Sequence, residues 1–85
     1  RLPEIEVFPN PFSTETIIKI SAVDGTKHAD IELKLYNMLG EEIAASYTRT
    51  KDAFVLHRGS LPAGLYFCRL QKKNEIIADT KIIIE

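Results

Sequence analysis

The sequence predicts an all-β chain folded as a two-layer antiparallel sandwich, and three observations carry that expectation. Apolar residues recur at every second position through short runs bounded by turn residues. No segment longer than a turn shows the i, i+3, i+4 spacing of an amphipathic helix. The 85 residues are 45% hydrophobic with only four glycines and four prolines, which is the make-up of a folded domain rather than a tail. Seven strands in a single domain over residues 1–85 are expected.

Taken in order, Glu4 to Phe8 alternates polar and apolar residues and then meets Pro9-Asn10-Pro11, where two prolines forbid further ladder pairing. This predicts a short edge strand ending in a fixed turn, with Phe12 as an apolar plug behind it. Ser13 to Thr16 restart the chain. Ile18, Ile20 and Ala22 then share one face, and Ile17, Lys19 and Ser21 the other, as in a second strand. Asp24-Gly25 is a turn dipeptide, lengthened into a loop by Thr26-Lys27-His28.

Asp30 to Asn37 has the cleanest period of two, with Ile31, Leu33 and Leu35 inward and Glu32, Lys34 and Tyr36 outward. Asn37-Met38-Leu39-Gly40 reads as a tight reversal in which Gly40 takes the positive φ. Glu41 to Thr48 is expected to return as one strand, with Ile43, Ala45 and Tyr47 on one face, making a hairpin with the strand before it. Asp52 to His57 places Phe54 and Leu56 together in the next strand.

Ser60 to Leu70 holds the sharpest corner and the most apolar alternation. Pro62 fixes its own φ and biases Leu61 toward an extended backbone, and Gly64 supplies the freedom to reverse. In the strand that follows, Tyr66, Cys68 and Leu70 are expected in the core, with Phe67 and Arg69 outside. After the charged turn Gln71 to Glu75, the run to Glu85 puts Ile76, Ala78, Ile82 and Ile84 inward, and Asp79, Lys81, Ile83 and Glu85 outward. Seven short strands in so short a chain fit an immunoglobulin-like antiparallel sandwich, and Tyr66 stands where that fold places a tyrosine corner.

Composition narrows the function. Eleven Lys and Arg against twelve Asp and Glu give a formal charge of −1, and the basic residues are spread along the chain. That argues against nucleic acid or an anionic membrane as the main partner. The apolar runs fall far short of the roughly 18 residues of a membrane span. Beginning directly with Arg1-Leu2-Pro3-Glu4, the chain is expected to be a piece of a longer protein.

The candidate chemistry is thin. Asp52, His57 and Ser60 supply the residue types of a hydrolytic triad, but His57 and Ser60 lie on one strand and its turn, without a source of oxyanion donors. They read as a solvent-facing histidine and a turn serine. His28, His57 and Cys68 lack metal-ligand spacing, and Asp24 to Asp30 lacks the alternating oxygen ligands of a calcium loop. The glycines are too scattered to cradle a phosphate. The single cysteine, Cys68, reads as a small buried hydrophobe. Tyr36, Phe67 and Ile83 are expected outside on three different strands, where single exposed apolar residues are ordinary. No catalytic, cofactor or metal site is expected.

Four motifs occur in a fixed order: Pro9-Asn10-Pro11-Phe12; Leu35-Tyr36-Asn37-Met38-Leu39-Gly40-Glu41-Glu42-Ile43; Leu61-Pro62-Ala63-Gly64-Leu65-Tyr66; and Thr80-Lys81-Ile82-Ile83-Ile84. With them the chain resembles, over nearly all its length, the type A C-terminal sorting domain of the type IX secretion system of Bacteroidetes-type bacteria. The resemblance implies an immunoglobulin-like sandwich at the end of a larger secreted cargo, which lies N-terminal to it in the same chain. Its implied partners are the outer-membrane secretion translocon and a sortase-like cysteine protease that removes the domain. It also implies transit through the periplasm, then secretion or attachment at the cell surface.

By the same resemblance, Pro9, Asn10, Pro11, Leu61, Gly64, Tyr66 and Lys81 stand at motif positions, and cleavage is expected upstream of Pro9, within or before residues 1–8. Gly40 and Cys68 are expected to be structural. Recognition is expected at the closing strand and the corner beside it: Lys81, Ile82, Ile83, Ile84, Gly64 and Tyr66. Cys68 departs from a usually aliphatic position, and the loop from Val23 to Ala29 is longer than many members need. The alternative is a non-catalytic immunoglobulin-like accessory module, hook-cap-like or glycan-binding. The lack of tryptophan disfavours the hook-cap form, which usually carries a Trp-Asp-Gly stretch.

Overall fold

The structure, a computed structural model, describes residues 5–20 and 30–85. Within them lie eight strands: β1 (Ile5–Phe8), β2 (Glu15–Ile20), β3 (Glu32–Tyr36), β4 (Glu42–Ile43), β5 (Ser46–Arg49), β6 (Ala53–His57), β7 (Gly64–Lys72) and β8 (Glu75–Ile84). They form two four-stranded sheets, ordered β1-β2-β6-β5 and β4-β3-β7-β8, with every strand pairing antiparallel. This is the immunoglobulin-like sandwich that the alternation predicts. Ala22, the Asp24-Gly25 turn and His28 lie outside the described residues.

The core is built from alternate residues of both inner faces, as sheet-on-sheet packing requires. Ile18, Phe54 and Leu56 come from the first sheet, and Leu33, Leu35, Tyr66, Cys68, Leu70, Ile82 and Ile84 from the second. Phe12 enters as the expected plug and is fully buried. Burying a side chain of this size stabilises by about 1.5 to 3 kcal/mol. The buried Thr16 hydroxyl is satisfied by donating to the Pro9 carbonyl at 2.7 Å.

Two expectations are corrected. The run from Glu41 to Thr48 is not one strand. It pairs with β3 only at Leu35↔Ile43 and Tyr36↔Glu42, then crosses to the other sheet and pairs with β6 from Ser46↔His57 onward. Both sheets face the same core, so Ile43, Ala45 and Tyr47 all pack inward through the crossing. The alternation therefore carries no mark of the change of sheet.

The second correction lies in β8. Leu70 pairs with Ala78 but Gln71 pairs with Ile76, so Ile77 is an extra residue on that strand. The bulge reverses the parity. Ile76, expected inward, is 51% exposed, and Ile77 packs on the core instead.

Candidate functional site

The closing strand is held on three sides. On its inner side, Ile82 and Ile84 are buried, at 0% and 2% exposure. Along one edge it pairs with β7, through Gly64↔Ile84, Tyr66↔Ile82 and Phe67↔Lys81. Its other edge is covered by the segment around the two prolines. Asn10 Oδ1 accepts from the Ile83 amide at 2.9 Å, and Asn10 Nδ2 donates to the Lys81 carbonyl at 3.2 Å. The Phe12 amide donates to the Ile83 carbonyl at 3.0 Å, and the Glu85 amide to the Phe12 carbonyl at 2.9 Å. Both peptide bonds preceding Pro9 and Pro11 are cis. Phe12 and Ile84 thus meet as a parallel bridge, and a short piece of chain stands where a fifth strand would pair.

Arg58 ties the same region together. Its Nε donates to the Leu61 carbonyl at 3.0 Å, and one terminal nitrogen donates to the Ser13 carbonyl at 3.1 Å and the main-chain oxygen of Glu85 at 2.7 Å. Its own amide donates to the Thr14 carbonyl at 2.9 Å. One side chain therefore joins the end of the proline segment, the corner and the end of the closing strand. A planar guanidinium with five donors suits that task. The sequence reading passed over Arg58 because nothing local distinguishes it from the other basic residues.

The corner is as expected. Leu61 donates its amide to the Arg58 carbonyl at 3.1 Å and packs its side chain against the core. Gly64 takes φ +152° at the start of β7. Tyr66 is 5% exposed, and its hydroxyl donates to the Pro62 carbonyl at 2.7 Å. That is the tyrosine corner of the fold. Gly40, at φ +83°, closes the β3–β4 turn, and Asn37 Oδ1 accepts from the amides of Leu39 and Glu41 at 2.9 and 3.0 Å. Cys68 is fully buried, and burial, with a smaller contribution from the Asp79 charge, pushes its thiol up to about 12.

Of the closing-strand candidates, Lys81 and Ile83 project outward, while Ile82 and Ile84 are core residues; Gly64 and Tyr66 shape the adjoining corner. Ile83 is 44% exposed. Lys81 is exposed, and no carboxylate among the described residues pairs with it.

Register brings together what the sequence scatters. Tyr36 and Phe67 are direct cross-strand partners, Phe67 faces Lys81 on its other side, and Leu65 faces Ile83 one row away. On the next row Arg69 grips Asp79 with two hydrogen bonds, at 2.9 and 3.2 Å, and stacks over the Tyr36 ring at 5.5 Å. Tyr36, Gly40, Phe67, Arg69 and Asp79 line an open cleft of about 290 Å³. Alternation alone places these side chains outside but gives no register, so their adjacency is not legible from it.

The hydrolytic residue types are not brought together. His57 meets neither Asp52 nor Ser60; its Nε2 lies 3.0 Å from Thr48 Oγ1, and its Nδ1 lies 3.7 Å from Glu15 Oε1. The row sits on the open outer face of the first sheet. There β6 is paired on both edges, so its main-chain amides are spent on the ladders and unavailable to an oxyanion. Among the described residues no group of three or more His, Cys, Asp or Glu is placed to hold a metal ion.

Comparison with solved structures finds the same fold in the crystal structure of the Lin-41 filamin domain. The match has a TM-score of 0.59 at 15% identity and covers 98% of this chain and 91% of that one. No curated protein matches the sequence. The family described as the secretion system C-terminal sorting domain matches residues 6–85, essentially the whole chain, including all four ordered motifs. The chain therefore belongs to that family, the C-terminal sorting signals of type IX secretion.

Proposed function

We propose that the domain is a folded address tag. It directs a larger cargo, attached on its N-terminal side, from the periplasm across the outer membrane through the type IX translocon. A sortase-like cysteine protease then cuts upstream of Pro9, within or before residues 1–8, and the cargo is released or joined to a surface lipopolysaccharide. The domain performs no chemistry of its own; it presents a shape.

The observation that carries this reading is the division of labour in β8. Ile82 and Ile84 anchor the strand from inside, and Asn10 and Arg58 pin its edge and end. Lys81 and Ile83 are left outward on a strand tied at both its edge and its end. Gly64 and Tyr66 fix the corner beside them and so fix where those two side chains stand. A receptor can read such side chains without unfolding the sandwich.

Removing residues 80–85 from the full-length cargo is the direct test, because it takes away both the outward pair and the anchors. Fractionation of the producing strain should then find the cargo in the periplasm. Arrival of the truncated cargo at the surface in normal amounts would overturn the sorting role and favour an accessory module instead. Lys81→Ala is the finer variant: it should weaken export while the domain keeps its melting temperature.

A further inference from the structure

We propose that the outer face of the β4-β3-β7-β8 sheet is where the secretion machinery docks, and that its partner is a protein surface bearing an apolar side chain and a carboxylate. The apolar side chain fills the cleft between Tyr36 and Phe67, and the carboxylate meets Lys81. This inference rests on the sorting reading and says which surface is read.

Three observations converge. The closing strand offers no open edge at residues 81–85, since Asn10 and Phe12 occupy its outward amides and carbonyls there. Strand addition at that point is blocked, and side chains are what remain to be read. Next, the face carries a cluster of exposed apolar groups. Phe67 is 37% exposed and Ile83 44%, with half-buried Tyr36 and Leu65 completing two adjacent rows, while Leu39, next in sequence to the lining residue Gly40, is 82% exposed. An aromatic centre of this kind, rimmed by polar groups, is the anatomy of a protein interface.

The third observation is the charge. On the rim, Arg69 is neutralised by Asp79 at 2.9 Å and Lys34 by Glu42 at 3.4 Å. Lys81, in the row of Phe67, has no such partner among the described residues. Lys81 is therefore a cation beside the apolar centre with no carboxylate partner among the described residues, whereas the exposed acids Glu32 and Glu85 stand at the start of β3 and just past the end of β8, and a complementary surface supplies a carboxylate at Lys81. The scattered charge of the chain as a whole, −1, does not favour an anionic bilayer as the occupant.

The test uses the whole 85-residue chain fused behind a periplasmic reporter, in a bacterium with a type IX system. Phe67→Ser, Ile83→Ser and Lys81→Glu are compared with Ile76→Ser. Ile76 has the same chemistry and similar exposure on the same strand, but lies beyond the Arg69–Asp79 pair. The first three should each lower surface delivery at least tenfold at unchanged melting temperature, while Ile76→Ser delivers normally. Lys81→Glu keeps the test decisive should an apolar replacement lower the melting temperature.

Normal delivery by Lys81→Glu and by the stable apolar variants overturns the docking face but leaves the sorting reading intact. Failure of the unmutated fusion to leave the periplasm overturns the sorting reading itself. Equal loss with Ile76→Ser shows that the face is not specific. The purified chain is also sedimented with phosphatidylethanolamine vesicles containing lipopolysaccharide. Binding that Phe67→Ser abolishes assigns the face to the envelope surface and overturns a protein partner; no binding supports one.

Discussion

Asn10 and Ile83 stand 73 residues apart in sequence and share a hydrogen bond of 2.9 Å, from the Ile83 amide to the Asn10 side-chain oxygen. With the second bond from Asn10 Nδ2 to the Lys81 carbonyl, one amide side chain imitates the donor and acceptor of a neighbouring strand. The planar amide of Asn carries both a carbonyl acceptor and an NH₂ donor on one head. The segment between two prolines holds that head against the edge. An exposed edge strand invites pairing with other chains, and here it is closed by the protein itself.

Asn10→Ala should therefore cost about 1 to 3 kcal/mol, since each hydrogen bond contributes roughly 0.5 to 1.5 kcal/mol net. Urea unfolding checks the cost. Amide hydrogen exchange checks the mechanism, because Ile83 should lose protection while the amides paired to β7 keep theirs. Unchanged exchange at Ile83 would mean that the side chain contributes nothing to closing the edge.

Tyr66→Phe keeps the buried ring and removes only the donor to the Pro62 carbonyl. The expected loss is about 1 to 2 kcal/mol, with the corner carbonyl left unpaired. A denaturant midpoint shifted by that amount at constant m-value is the expected result, and an unchanged midpoint would show that solvent replaces the bond.

The bulge in β8 gives two neighbouring isoleucines opposite fates. Ile77→Ala should cost about 1 to 2 kcal/mol, at or below the foot of the roughly 2 to 5 kcal/mol range for a fully buried isoleucine, because Ile77 packs on the core while only partly buried. Ile76→Ala should stay within about 0.5 kcal/mol of the parent, as exposed sites do. The reverse order would restore the unbulged register.

Cys68 ties burial to pH. Its pKa is raised by burial from 9.0 to about 12, so the folded state disfavours the thiolate that the unfolded chain accepts. The contribution is fully present below pH 9 and is lost as the pH rises toward 12. At about 1.4 kcal/mol per pH unit, the loss reaches about 4 kcal/mol across that window. Cys68→Ala lacks this contribution, so its stability should fall less steeply above pH 9 in parallel melts. At neutral pH a thiol reagent should label the native domain far more slowly than the denatured one.

What was legible in the sequence follows from what is local. Tyr66 and Pro62 sit four residues apart, so the corner shows in a short window. The alternation that buries Ile31, Leu33 and Leu35, and likewise Cys68 and Leu70, needs no partner strand to be seen. The crossing after Ile43 was hidden because both sheets share one core and leave the pattern unbroken. Ile77 was hidden because one extra residue reverses parity without changing composition. The Tyr36–Phe67 pair needs the register of two distant strands, and the reach of Arg58 to Ser13, Leu61 and Glu85 needs the finished fold. The candidate recognition residues of the closing strand entered through resemblance, not through alternation, which treats Lys81 as it treats any outward lysine.

The most direct measurement of the central claim is the fate of an unrelated periplasmic protein carrying this chain at its C-terminus, in a bacterium with a type IX system. Fractionation should find the reporter at the cell surface or in the medium, while the same reporter without the chain stays in the periplasm. A tagged reporter that remains wholly periplasmic, with its domain folded, would contradict the account.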